Sequence, residues 1–322
     1  MKDTAKKPFL IVLIATAFLT LLATALRVTL LLTAFDTSVG HFADTPLSSI
    51  VFPLLFIAAL ILVISFSFIE RDQLDEKGII PFIPTVFAAA FTVIAFAVWV
   101  VTMLPLVFSA RGIIMLFGML MLLFAIGLIA YFTCTALSMS DRSIRAMLCL
   151  CATLFCVFYV LFAYFDTAFT LNSPIKIFDQ ITLLVFAVFF LAECRLHFGT
   201  INYAFYLPIT LFATMLGTVN ALSALLYAAI RHTALTENYM HDFIILALSL
   251  YTLSRLVALL PQKATEARET EYPQALAPQA PATPAASNEA LPLGDPDQEA
   301  FDFDAPEADD AEENAIDPAD ED

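Results

Sequence analysis

Arg27 and Glu193 each stand inside a long apolar run, and both carry chemistry that hydrocarbon does not tolerate idly. A charged side chain at the centre of a bilayer costs about 2.5–3.5 kcal/mol even on the lenient insertion scale, so it is kept for a partner, a ligand or a proton. Arg27 precedes Phe35 by eight residues, about 12 Å of helix at 1.5 Å per residue. Facing the bundle interior, it would hold a carboxylate, either Asp36 of its own loop or Asp166 of a matching loop, or an anionic ligand. Facing lipid, it would instead snorkel to the headgroups. Glu193 has His197 four residues on, on the same helical face, whereas Arg195 points elsewhere. A carboxylate beside an imidazole is suited to relaying protons; an interfacial ion pair at the headgroups is the simpler expectation, because Arg195 and His197 mark a water boundary. Asn220 reads as a helix-packing hydrogen bonder. Glu237, His241 and Asp242 fall in a segment read as a solvated loop, without metal-site spacing.

The elements that position these groups are transmembrane helices. Hydrophobic residues make up 60% of the chain and charged ones 14%, against roughly 45–50% apolar in soluble domains. Runs near the 20 or so residues that cross a bilayer recur, and nothing alternates as a barrel strand would. The expected fold is an all-α polytopic bundle of eight spans: Phe9 to Phe35, Leu47 to Ile69, Ile79 to Pro105, Gly112 to Leu137, Ala146 to Phe165, Asp179 to Leu196, Tyr203 to Ile230 and Phe243 to Leu260. The first run reaches Ala23-Thr24-Ala25 in the manner of a signal peptide but continues through Leu32, as an anchor does. With the N-terminus inside, the cytoplasmic segments gather most Lys and Arg, leaving Arg111, Lys176 and Arg231 outside. Both termini are therefore expected in the cytoplasm.

Charge divides the chain into residues 1–261, the transmembrane domain, and residues 262–322. Thirteen basic and thirteen acidic residues precede Gln262; beyond it 18 acids face only Lys263 and Arg268, so the formal charge of −16 belongs to the tail. Its Ala/Pro-rich stretch and acidic end predict a disordered cytoplasmic arm, with Leu291, Leu293, Phe301 and Phe303 as apolar anchors for a basic protein partner. The five cysteines read as buried thiols. Phe35-Asp36-Thr37 after the first span matches Phe165-Asp166-Thr167 after the fifth, and Glu70-Arg71 matches Glu193-Cys194-Arg195; two parallel repeats, 1–145 and 146–261, would follow.

Arg27, the Phe35-Asp36-Thr37-Ser38-Val39-Gly40 loop, the Asn172-Ser173-Pro174-Ile175-Lys176 stretch leading to Gln180, and Glu193-Cys194-Arg195 carry a further likeness. On these residues the chain resembles an uncharacterised group of multi-pass membrane proteins of clostridia and related Firmicutes. The resemblance implies a bacterial plasma-membrane protein and carries over no activity. GxSxG, HExxH and phosphate-binding glycine loops are missing from the sequence. The expectation is thus a non-enzymatic protein without catalytic residues, cofactor or metal, its surroundings the lipid bilayer and not nucleic acid. A membrane sensor or interaction protein is the leading reading, and a small-solute or ion transporter with a site between the helical halves the alternative. The sequence sets no subunit number.

Overall fold

The computed structural model describes residues 6–36, 41–42, 56–57, 83–138, 141–165, 173–200, 203–232 and 239–259. Seven helices dominate them: α1 (Lys6–Thr33), α2 (Ile83–Ser109), α3 (Ile113–Ala136), α4 (Arg142–Phe165), α5 (Pro174–His197), α6 (Tyr203–Arg231) and α7 (Tyr239–Leu259). All seven are long and apolar enough to cross a membrane, and the chain is an all-α, multi-pass membrane helix bundle. After α1, β1 (Phe35–Asp36) and β2 (His41–Phe42) pair antiparallel, with Asp36 opposite His41. Of the expected span from Leu47 to Ile69, only Phe56 and Ile57 are described, both helical; Phe56 packs its ring on Phe178 and Phe212. The residues that carry the duplication, apart from Phe35, Asp36, Phe165 and Glu193 to Arg195, lie outside the described residues, as do Asp166 and the tail anchors.

Short connections make consecutive helices from α2 onward antiparallel neighbours. They close a ring in which α2 packs on α3, α3 on α4, and so on to α7, which returns to α2; α1 lies outside the ring against α6. The ring's interior is aromatic: Phe96, Trp99, Phe132, Phe155, Phe186, Phe189 and Phe190 are all fully buried. Outward, Phe87, Ile94, Val101, Leu116, Leu123, Ile126 and Met147 are exposed. A continuous apolar exterior of this kind is stable against lipid and not against water.

Small residues set the closest approaches. Gly127 on α3 meets Cys151 on α4, where an added Cβ would lie 2.6 Å from the Cys151 Cβ. Gly217 on α6 receives the Phe186 ring tip, 2.6 Å from where a Cβ would stand, and also lies against Ser249. Small residues let helix backbones approach in this way inside membranes.

Two of the helix starts that differ from expectation bear on the site. α5 begins at Pro174, more than a turn before Asp179, because proline at the first helical position brings a preset φ and no wasted N–H. α7 begins at Tyr239 instead of Phe243, with Asp242 in its first turn. A hydropathy reading excludes charged residues from a span, yet an acid near a helix N-terminus is favourable. His241 and Asp242, expected in a solvated loop, are consequently buried in the bundle.

Candidate functional site

The buried ionisable groups form two clusters at opposite ends of α5, α6 and α7. The first is centred on Glu193, in α5 and fully buried. Its Oε1 lies 2.6 Å from an Nη2 of Arg255, on α7 and 6% exposed. Three phenols surround the same carboxylate: Tyr206 donates to Oε2 at 2.5 Å, while Tyr131 and Tyr251 approach Oε1 at 3.4 and 3.5 Å. Tyr131 and Tyr251 are also 3.0 Å apart through their hydroxyls. His197 reaches this group through its Nε2, 3.4 Å from the Tyr131 hydroxyl. Four helices, α3, α5, α6 and α7, therefore converge on one carboxylate. A buried ion pair survives the loss of hydration only when further hydrogen bonds occupy the remaining lone pairs, and the phenols supply them.

This arrangement corrects the expected interfacial pair. Arg195 is exposed and points away; the cation that meets Glu193 is Arg255, sixty-two residues further along the chain. It comes from a neighbouring helix because a carboxylate facing the ring interior is reached only across the ring. His197 remains beside the cluster but contacts it by way of Tyr131.

The second cluster surrounds Arg27, which is 6% exposed. Its guanidinium carbon sits 3.6 Å over the Phe178 ring, a cation–π contact, and Nη2 donates to Asn220 Oδ1 at 3.0 Å. The Asn220 amide donates in turn to Asp179 Oδ1 at 2.7 Å and to Thr182 Oγ1 at 3.3 Å. Asn220 thus couples cation to anion across three helices, a larger role than the packing bond expected of it. Asp36, one of the two expected partners of Arg27, is exposed on β1, while Asn220 faces Arg27 from the adjacent α6. On the far side of Asp179, Oδ2 lies 3.7 Å from His241 Nε2. His241 Nδ1 makes a short hydrogen bond with the Tyr159 hydroxyl. Asp242 follows, 3% exposed, with no hydrogen-bond partner for its buried Oδ2 among the described residues.

The clusters share a spacing. Asp179 to Glu193, Tyr206 to Asn220 and His241 to Arg255 are each fourteen residues. That is about 21 Å of helix and within about 40° of four whole turns, so each helix presents one member of each cluster on nearly the same face. Between them, Thr182, Thr210, Thr214, Ser249 and Thr252 are buried, and Thr214 and Thr252 approach to 2.9 Å through their hydroxyls. Phe186, seven residues from both Asp179 and Glu193, occupies the middle of this path against Gly217.

The fourteen-residue spacing was the available signal for Asp179, Tyr206, His241 and Arg255, none of which the sequence alone marks as a site. Tyr131 and Tyr251 carry no such signal, since a tyrosine in an apolar run is an ordinary core residue. No protein-family model, curated protein or solved structure matches the chain.

Proposed function

We propose that this protein is a transporter of a small solute or ion, working in a bacterial plasma membrane with both termini in the cytoplasm. One observation carries the reading: ionisable clusters occupy both ends of the same three helices, about 21 Å apart, with buried hydroxyls between them and Phe186 seated on Gly217 midway. Ionisable residues inside a bundle are costly, and paired sets of them characterise ion and proton pathways. In the proposed orientation the Arg27 cluster is the external station and the Glu193 cluster the cytoplasmic one, with Phe186 on Gly217 as the barrier between. Alternating access then consists of opening one cluster to water while Phe186 closes the other. A sensor draws support from the acidic segment 262–322, but does not account for a second cluster of ionisable groups at the opposite end.

The test is charge movement by the full chain reconstituted into liposomes on a solid-supported membrane. Concentration jumps of protons, Na⁺, K⁺ and small amines are expected to elicit a transient current for at least one of them, reduced at least tenfold by Glu193→Gln. Silence to every jump, or an unchanged current in that variant, overturns the reading.

A further inference from the structure

The Arg27 cluster holds two carboxylates against one guanidinium, and its remaining member, His241, is the group whose charge decides the balance. Five of the described helices contribute to it. Arg27 comes from α1, Tyr159 from α4, Asp179 from α5, Asn220 from α6, and His241 and Asp242 from α7. Lys176, the other basic group of α5 at this end, is turned to the Tyr164 carbonyl, 3.0 Å away at the end of α4. Arg231 is turned to the Leu32 carbonyl at 2.9 Å.

Hydrogen bonds satisfy one half of the cluster and leave the other half open. Asp179 Oδ1 has its amide donor, and through Asn220 it is tied to Arg27. His241 Nε2 and Asp242 Oδ2 are buried and lack a hydrogen bond among the described residues, in side chains 7% and 3% exposed. Asp242 lies within electrostatic reach of Arg27, Asp179 and His241. The first turn of α7 offers it at most about half a positive charge from the helix dipole. With His241 neutral, the cluster's described groups therefore sum to one negative charge in a low-dielectric interior, which is costly without a counter-charge.

We propose that the Asp242–His241–Asp179 group is a binding site for one exchangeable proton, held against the fixed charge of Arg27. The inference rests on the transporter reading, for which this charge would be the coupling ion. Size limits the ligand. Contacts of 2.7 to 3.7 Å join Asp179 directly to its neighbours, which leaves room for a proton and none for a metal or organic cation between them, and the described residues hold no group of three His, Cys, Asp or Glu placed to bind a metal ion. Arg27 cannot supply the missing charge, because its own is already committed to Asp179 through Asn220.

Binding is read without transport. Trp99, the one tryptophan of the chain, has its ring centroid 5.3 Å from Tyr159, whose hydroxyl is bonded to His241. Its emission in the detergent-purified full chain is followed from roughly pH 5 to 9, the range in which an imidazole changes charge, with choline as the only other cation and then with added Na⁺. Proton uptake is counted in parallel by potentiometric titration. Wild type is expected to take up about one proton more per chain than Asp242→Asn over that range, since the variant removes the unbalanced charge. Asp242→Ser, made alongside, gives the same comparison should one variant fold poorly, and Asp242→Glu retains the uptake. A Trp99 response to pH that Na⁺ leaves unchanged is expected; Na⁺ that reproduces the change at alkaline pH would overturn the assignment to a proton. Equal proton uptake in wild type and both neutral variants overturns the site. A positive binding result with silent liposomes would leave the site standing and remove the transporter reading.

Discussion

Replacing Glu193 by Gln keeps the size of the side chain and removes only its charge, so the variant measures what the buried pair with Arg255 contributes. Arg255 would then be a buried cation with no anion at 2.6 Å, its Nε already without a hydrogen bond among the described residues. Breaking one side of such a pair costs about 3–5 kcal/mol. The upper part of that range is expected here, because the new amide can also present a donor where Tyr206 donates at 2.5 Å. Arg255→Met is expected to cost less, about 2–3 kcal/mol, because the carboxylate keeps its phenol donors and hydrogen bonds to a charged group are worth about 1.5–3 kcal/mol each. The double variant leaves neither charge uncompensated and should return to within about 1 kcal/mol of wild type, a coupling of roughly 5–8 kcal/mol. Far-UV circular dichroism during titration of detergent micelles with dodecyl sulfate gives the four stabilities of the cycle. If both single variants match wild type, or if their losses simply add, the pair does not organise this end of the bundle.

Three further outcomes follow from particular contacts. Gly217→Val would drive a side chain into Phe186, 2.6 Å from the new Cβ, and should lose about 1–3 kcal/mol as overpacked sites do; Phe186→Leu in the same chain should recover part of it in the same titration. Asn220→Leu cuts the bridge between Arg27 and Asp179 and leaves both without that partner, a loss of about 2–4 kcal/mol, whereas Asn220→Gln should fall between the two. The isolated segment 262–322 is expected to retain a basic protein partner at low salt and release it at high salt, and Phe301→Ala/Phe303→Ala should weaken retention; a pull-down with equal recovery in every condition refutes that expectation.

The helices were readable because bilayer thickness imposes a length that composition alone reveals, as the runs in α2, α3 and α6 illustrate. The ends of α5 and α7 were less so, since the residues there, Lys176, His241 and Asp242, are polar and buried at once. Hydropathy assigns such residues to water. Arg27 and Glu193 stood out for the same reason in reverse, as charges in the middle of apolar sequence. Their partners did not, because Arg255, Asn220 and Asp179 become neighbours only when the ring closes. Pairings between residues sixty or two hundred positions apart are properties of helix packing, and a single sequence records them only faintly in the shared fourteen-residue spacing.

The order of the helices along the chain bears on how the bundle is made. α7 is the least apolar of the seven spans, and it carries His241, Asp242 and Arg255, each of which resists entry into lipid. It is also the last described helix to leave the ribosome. By then Glu193, Tyr206 and Asp179 have already been synthesised and lie in helices able to receive it. A helix unsuited to standing alone in a membrane is thus delivered to a polar seam prepared in advance. Assembly in the order of synthesis would therefore close the ring with α7, the last of the described helices, onto α2 and α6.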